Sequence, residues 1–213
     1  LDPVIEADLH AYVDDQLAVG RRIEVEAYLS ERPEVAAQMM KDLRVRDELR
    51  RWGWLGVLPD GIGYGNISAR RPGGNTFVIS ASGTGRHKNA LPEHFCAVLT
   101  VDIARNFVLC RGPLPASSES MSHGAVYATR PDTHAVIHVH DRALYARLRA
   151  TGAPATPDDA EFGTPELARA IAALAPTLPP VAVLRLGGHP DGMLAFGPSI
   201  GAARDALAAL AWL

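Results

Sequence analysis

The chain has few of the features that mark secreted, membrane-bound or nucleic-acid-binding proteins. Of its 213 residues only 2 are cysteine, too few for the disulfide framework of a small secreted domain. No window approaches the roughly 18 uninterrupted apolar residues of a membrane helix. Lysine and arginine number 21 against 24 aspartate and glutamate residues, and no basic run offers a phosphate backbone a positive surface. We therefore expect neither a nucleic acid nor a membrane as a partner.

These absences leave a folded, water-soluble protein of ordinary composition. Apolar residues make up 47% of the chain and charged residues 21%, close to the averages of soluble globular proteins. Cys96 and Cys110 are too far apart for a CxxC metal site, so we expect buried, reduced thiols. The N-terminal residues LDPVIEADLH lack the basic and apolar regions of a signal peptide, which favours a cytoplasmic location.

The character of the sequence changes near residue 50. Residues 1–48 place apolar side chains at three- and four-residue spacing among many charges, which is typical of amphipathic helices. From Trp52 onward, a segment rich in glycine and proline precedes short runs of strand and helix pattern. We therefore predict a helical extension over residues 1–48 and a second domain over residues 49–213.

The second domain contains separate strand and helix signals. Its predicted strands are TFVISAS, CAVLTVDI, NFVLCRG, AVIHVH, VAVLRL and MLAFG. Its predicted helices are SSESMSHGAVYATRP, RALYARLRA, TPELARAIAAL and SIGAARDALAALAWL. Because strands and helices alternate loosely, we predict an α/β sandwich in which helices cover a mixed, largely antiparallel sheet.

Two histidines stand one residue apart in the predicted strand AVIHVH. Since alternate side chains of a strand point to the same face, His138 and His140 lie together while Val139 points away. A catalytic zinc site uses three protein ligands and keeps a further coordination position for water or substrate. The best third candidate is His189, because GGHPDG predicts a sharp turn between two apolar strands.

The spacing of these histidines alone leaves an ordinary structural role open, because HxH pairs also occur in strands that bind nothing. His134 has the same parity as His138, but its position after PDT predicts that it lies just outside the strand. A cupin also uses HxH, with a glutamate a few residues later, whereas here the sequence continues DRALYARL. A cupin site is therefore excluded.

Glu119 follows Ser117 and Ser118 at the predicted start of a helix. Free N–H groups and the helix dipole stabilise anions there, so the residue can be a simple helix-entry carboxylate. The alternative is a general acid/base beside a metal, with a pKa raised by desolvation. The turns GYGNIS and SASGTG can likewise hold a phosphate or carboxylate through backbone N–H groups, or can be turns alone.

Five segments, taken in their order along the chain, resemble the class II aldolase/adducin family. They are GYGNISAR, FVISASGTG, PASSESMSHGAVYATRPDTHAVIHVH, EFGTPELA and GGHPDGMLAFG, and the resemblance covers residues 49–213. This family contains fuculose-phosphate aldolase, rhamnulose-phosphate aldolase and ribulose-phosphate epimerase. The resemblance implies a three-layer α/β/α sandwich, usually assembled as a homotetramer.

The resemblance also implies roles for individual residues. His138, His140 and His189 match the family's zinc ligands, with manganese and cobalt as other candidate metals, and Glu119 matches its acid/base. The matches to positions around the substrate phosphate are Asn66, Ser82, Gly83, Ser117 and Ser118. The implied reaction cleaves or forms a carbon–carbon bond in a small hydroxy-carbonyl compound, such as a sugar phosphate, through a metal-stabilised enediolate. A decarboxylation or an epimerisation can use the same site.

Residues 1–45 resemble the N-terminal helical region of bacterial anti-sigma factors over a short amphipathic stretch. This resemblance implies a protein partner, whereas extra helices packed on the sandwich need none. Two functions therefore remain for the chain: a metal-dependent lyase, and a binding module like the non-catalytic adducin relatives. The presence of all three histidines and Glu119 favours the lyase, because a scaffold has no physical need for that set.

Overall fold

The computed structural model describes Gly20, residues 44–71 and residues 74–211. Most of the predicted helical extension lies outside the described residues, and so does most of its resemblance to anti-sigma factors. The division of the chain at residue 48 therefore stays a prediction. None of the helices in the described part of the chain has the length and apolar character needed to span a bilayer.

The predicted helices and strands occur in the predicted order, and three further strands lie between residues 56 and 70, in the segment rich in glycine and proline. In chain order, the elements are α1 (described over residues 44–51), β1 (Gly56–Val57), β2 (Gly63–Tyr64), β3 (Asn66–Arg70), β4 (Phe77–Ser80), β5 (Phe95–Asp102), β6 (Phe107–Arg111), α2 (Ser120–Thr129), β7 (Ala135–His140), α3 (Arg142–Ala150), α4 (Pro165–Leu174), β8 (Ala182–Arg185), β9 (Gly192–Gly197) and α5 (Ile200–Ala211). Short 3-10 helices lie at Thr84–Arg86, Pro92–His94 and Ala175–Thr177.

One sheet of seven strands, in the order β6-β5-β4-β3-β7-β9-β8, forms the centre of the fold. Every neighbouring pair of its strands is antiparallel, and the parallel contacts are two isolated bridges. The predicted, largely antiparallel sheet is thus confirmed. A second, two-stranded sheet joins β1 to β2 and was not predicted, because two-residue strands are too short to show alternation.

Helices cover both faces of the sheet and bury a separate core on each. In the first core, α2 and α4 pack on the face to which Val136 of β7 points. In the second core, α1, α3 and α5 pack on the face to which Ile137 and Val139 point. This alternation along β7 is what a strand buried on both faces requires. The predicted three-layer α/β/α sandwich is therefore confirmed.

Polar side chains fix where the helices beside β7 and β8 begin. The Asp141 carboxylate accepts a hydrogen bond from the N–H of Leu144 at 2.8 Å, so α3 starts directly after β7. The other oxygen of the Asp141 carboxylate accepts a hydrogen bond from Trp54 Nε1 at 3.0 Å. Thr164 caps α4 in the same way, ahead of proline at the first helical position. The Asp141 cap therefore follows directly after His140, the last residue of β7.

The two cysteines lie on neighbouring strands and are both free. Cys96 is buried, as predicted, whereas Cys110 is half-buried. Burial raises the pKa of the Cys96 thiol to about 12, so it stays protonated at neutral pH.

Candidate metal centre and active site

The three predicted metal ligands come from two neighbouring parts of the sheet. His138 and His140 are on β7, whose partner β9 follows the turn that contains His189. Two backbone hydrogen bonds close this turn, from His189 N to the Leu186 carbonyl at 3.2 Å and from Gly192 N to the His189 carbonyl at 2.9 Å. A Cβ at Gly192 would lie 2.8 Å from Cδ2 of the His189 ring, so only glycine leaves the ring this space.

The three imidazoles converge through one nitrogen each. The Nε2 atoms of His138 and His140 are 3.0 Å apart, and each lies 3.1 Å from Nε2 of His189. His138 is buried and the other two are half-buried, which leaves one side of the triangle accessible. His134, the fourth histidine of this segment, is exposed and lies just before β7, as predicted.

Backbone carbonyls act on the rings of His138 and His140, whereas Nδ1 of His189 has no partner among the described residues. Nδ1 of His138 lies 3.0 Å from the Met193 carbonyl, to which only an N–H can donate. The Pro190 backbone, which has only a carbonyl to offer, raises the pKa of His140, as an acceptor beside that ring does. In neutral His138, Nε2 is then an unprotonated acceptor. A second lone pair that faces it at 3.0 Å is repelled unless a proton or a cation lies between them.

Burial keeps these imidazoles neutral. Desolvation lowers the pKa of all three histidines. Neighbouring imidazole rings lower the pKa of His138 and of His189 further. The pKa of His138 lies well below its ordinary value, and that of His189 is about 4. A proton between the rings is therefore disfavoured near neutral pH. Neutral imidazole is the form that binds zinc.

The separations of the Nε2 atoms fit a metal. Ligand nitrogens about 2.0 to 2.1 Å from a tetrahedral zinc are separated by about 3.3 Å, and the observed 3.0 to 3.1 Å needs only a slight expansion. Hydrogen bonds from the outer nitrogen to a backbone carbonyl are also common for metal-binding histidines. The donor set, the inward lone pair of His138 and the spacing thus suit a divalent cation with a position left for another ligand.

Glu119 occupies the N-cap position of α2, but its side chain does not cap the helix. The residue is only 3% exposed. Oε2 accepts a hydrogen bond from the Ser122 hydroxyl at 2.7 Å, and Oε1 has no partner among the described residues. Burial raises the pKa of Glu119, and the Ser122 hydroxyl only partly opposes that shift. These features disagree with a simple helix-entry carboxylate, which would bond the free backbone N–H groups.

Contacts through Ser117 connect Glu119 to the histidine strand. The Asn66 amide donates to Ser117 Oγ at 3.0 Å, and the same oxygen accepts from Glu119 N at 3.3 Å. Asn66 pairs with His138 across β3 and β7. Since α2 packs on the face to which His138 points, Glu119 and the histidines lie on the same side of the sheet.

The remaining predicted residues, Ser82, Gly83 and Ser118, lie in turns and loops that solvent reaches. Ser82 and Ser118 are exposed, and Gly83 is half-buried with a φ of +72°, which favours glycine. Ser82 N donates to the Pro115 carbonyl at 2.9 Å, which places its loop against the segment leading to Ser117.

Three further residues at the site were not predicted. The Phe162 ring stacks on His189 at 4.7 Å, and the edge of Tyr64 meets His140 at 5.7 Å between ring centroids. His123 is fully buried, with Nδ1 2.7 Å from the Ser68 hydroxyl. Phe162 lies in a turn and Tyr64 in the two-residue strand β2, and sequence patterns do not reveal side-chain directions in either. The position of His123 four residues after Glu119, on the same helix face, was a usable signal.

The chain matches the family model described as Class II Aldolase and Adducin N-terminal domain over residues 58–213. It therefore belongs to the class II aldolase/adducin family, as the order of its motifs predicted. Among curated proteins, none matches its sequence.

Several solved structures share the fold. YgbL from Klebsiella pneumoniae is 20% identical with a TM-score of 0.61, over 82% of this chain and 85% of that chain. The L-fuculose-1-phosphate aldolase from Thermus thermophilus is 23% identical with a TM-score of 0.58, over 82% and 89%. A sugar-phosphate aldolase from Thermotoga maritima is 15% identical with a TM-score of 0.58, over 83% and 91%. At these identities the likeness shows the fold alone.

Proposed function

We propose that the chain is a metal-dependent lyase that cleaves or forms a carbon–carbon bond in a small hydroxy-carbonyl compound. His138, His140 and His189 would hold the metal, and the convergence of their Nε2 atoms at 3.0 to 3.1 Å is the observation that carries the proposal. A bound divalent cation would supply Lewis-acid stabilisation of negative charge on the substrate's oxygens. Zinc is proposed ahead of manganese and cobalt because imidazole ligands suit it.

Glu119 is proposed as the general acid/base. Its raised pKa keeps a proton available to a higher pH than for a free glutamate, so the carboxyl group can both give and take a proton. The Ser122 hydroxyl holds Oε2, and the unpartnered Oε1 is left for the proton that moves on or off the substrate's carbon.

Asn66, Ser82, Gly83, Ser117 and Ser118 are proposed to bind an anionic group of the substrate. They offer amide, hydroxyl and backbone donors, and the bond between Asn66 and Ser117 joins the start of β3 to the segment before α2. Two neighbours of the same fold are named for L-fuculose 1-phosphate and for sugar phosphates. We therefore propose a sugar phosphate as the substrate class, with decarboxylation or epimerisation as other reactions of the same site.

Two further properties belong to the same proposal. A cytoplasmic homotetramer is proposed from the family resemblance, and the exposed Phe107 and Leu109 on the edge strand β6 are available for contact between copies. Light scattering that gives four times the mass of the 22.8 kDa chain would support this assembly, and the mass of a single chain would contradict it.

Turnover of a sugar phosphate tests the function. Zinc-loaded protein is incubated with L-fuculose 1-phosphate and related ketose 1-phosphates, and release of an aldehyde is measured. We expect Glu119→Gln to lower kcat by about 10² to 10⁴-fold, the usual contribution of general acid/base catalysis, with zinc content unchanged. His134→Ala, at an exposed histidine outside the site, is the matched control and should keep full activity. Full zinc occupancy without turnover of any such substrate would favour the non-catalytic binding module.

A further inference from the structure

Helix α1 directs two arginines at the loop of residues 81–90, called here the 81–90 loop. Arg46 and Arg50 are four residues apart and so share one face of the helix. Arg46 donates from Nη1 to the His87 carbonyl at 2.8 Å and from Nη2 to the Thr84 carbonyl at 2.7 Å. Arg50 donates to the Gly85 carbonyl at 3.1 Å and to the Arg86 carbonyl at 3.4 Å. Four consecutive carbonyl groups of the loop are thus held by two guanidinium groups.

Arg46 is buried to an unusual degree for an arginine, with 2% of its side chain exposed. Its charge is balanced by Asp47, whose carboxylate oxygen lies 3.0 Å from Nη1 and also accepts from Ala90 N at 2.8 Å. Arg46 and Asp47 therefore contact the 81–90 loop at two places. Arg46 bonds its middle, at Thr84 and His87, and Asp47 bonds its end, at Ala90.

The position of Ser82 and Gly83 depends on these contacts. Thr84, held by Arg46, donates its hydroxyl to the Ala81 carbonyl at 2.7 Å, which closes the chain around both residues. On the opposite side, Gly85 packs so closely on the Gly56 carbonyl that a Cβ would collide with it. The 81–90 loop therefore contacts both α1 and β1.

We propose that Arg46 and Arg50 are positioning residues, which hold the 81–90 loop in the shape that binds the anionic group of the substrate. This inference rests on the proposed role of Ser82 and Gly83. Both arginines precede residue 58, where the match to the family model begins. The segment ahead of the matched region thus contacts the loop that carries Ser82 and Gly83.

Binding of inorganic phosphate to the full chain, measured by calorimetry, tests the inference. We expect Arg46→Met to weaken phosphate binding by about tenfold or more, because a displacement of about 1 Å in a positioning element has effects of this size. Arg46→Lys restores part of the loss, since an ammonium group reaches one of the two carbonyls. Arg50→Gln, at a half-buried position with less risk to folding, gives a smaller loss in the same direction.

Arg204→Met is the matched control for the anchoring of α1. It removes the 2.8 Å hydrogen bond that Arg204 of α5 donates to Glu48 of α1. Because this change does not alter a contact with the 81–90 loop, phosphate affinity should stay at the wild-type value. Folding of each variant is checked by circular dichroism, and its zinc content is checked separately. Zinc content unchanged in the arginine variants shows that the loss belongs to the loop.

Three results would overturn the inference. One is phosphate affinity that is unchanged in folded Arg46→Met and Arg50→Gln. Another is the absence of phosphate binding to the wild-type protein. The third is phosphate binding that disappears in His138→Ala/His140→Ala, because the phosphate would then bind the metal and not the loop. In each case, the zinc and turnover measurements still decide the proposed lyase independently.

Discussion

At the scale of single residues, the buried carboxyl group of Glu119 makes stability depend on pH. Its pKa in the folded protein lies above the ordinary value of 4.5, with desolvation as the main cause. Between these two pKa values the folded protein keeps a proton that the unfolded chain has lost. Stability therefore falls as the pH rises from 4.5 through the folded pKa, and stays lower above it.

Glu119→Gln is expected to stabilise the fold at pH 8 by about 1 to 3 kcal/mol, because the neutral amide removes a buried, half-satisfied charge. At pH 4, where the wild-type carboxyl group is protonated in the folded protein, the two proteins should differ much less. Urea unfolding at the two pH values measures the difference. Glu166→Gln, at an exposed carboxylate paired with Arg169, is the control and should show no such gain. A Glu119→Gln variant less stable than wild type at pH 8 would contradict this account.

At the scale of elements, the turn between β8 and β9 places His189 by close backbone packing. A Cβ on Gly188 would collide with the Ala160 carbonyl group, and one on Gly187 with the Thr156 carbonyl. An isolated parallel bridge also joins Gly188 to Glu161. The segment before α4 therefore sets the position of His189, the proposed third metal ligand.

Gly188→Ala is expected to move this turn and weaken zinc binding by about 10 to 100-fold, the range typical of changes in the groups that orient a ligand. Competition with a chromophoric chelator measures the affinity. Gly201→Ala is the matched control, since its Cβ meets only Ser199 Oγ at 3.8 Å and alanine favours the helix. Zinc affinity in Gly188→Ala equal to that of wild type would show that the turn does not set the ligand geometry.

Sequence patterns predicted these elements unequally. Alternation along AVIHVH was enough to place His138 and His140 on one face, because that geometry is local to a strand. The choice of His189 needed the turn and the family resemblance, since a residue 49 positions from His140 meets it only through the sheet. The β1–β2 hairpin has too few residues to show a pattern.

At the scale of the whole molecule, the candidate site is made of residues that only the folded sheet and its loops bring together. Asn66, Glu119, His138 and His189 come from four separate elements or turns around one sheet. Neither the burial of Glu119 nor the contacts of Arg46 with the 81–90 loop are visible in sequence, because both depend on packing between distant segments. The layered architecture, in contrast, followed from the order of strand and helix patterns and from the resemblance.

Metal content of the purified protein is the most direct test of the proposed centre. Plasma mass spectrometry after zinc supplementation should find about one zinc per chain in wild type and in the control His134→Ala, and almost none in His138→Ala/His140→Ala. This result would establish the three histidines as the metal ligands. Wild-type protein that is folded and metal-free, or a double variant with as much zinc as wild type, would contradict the account.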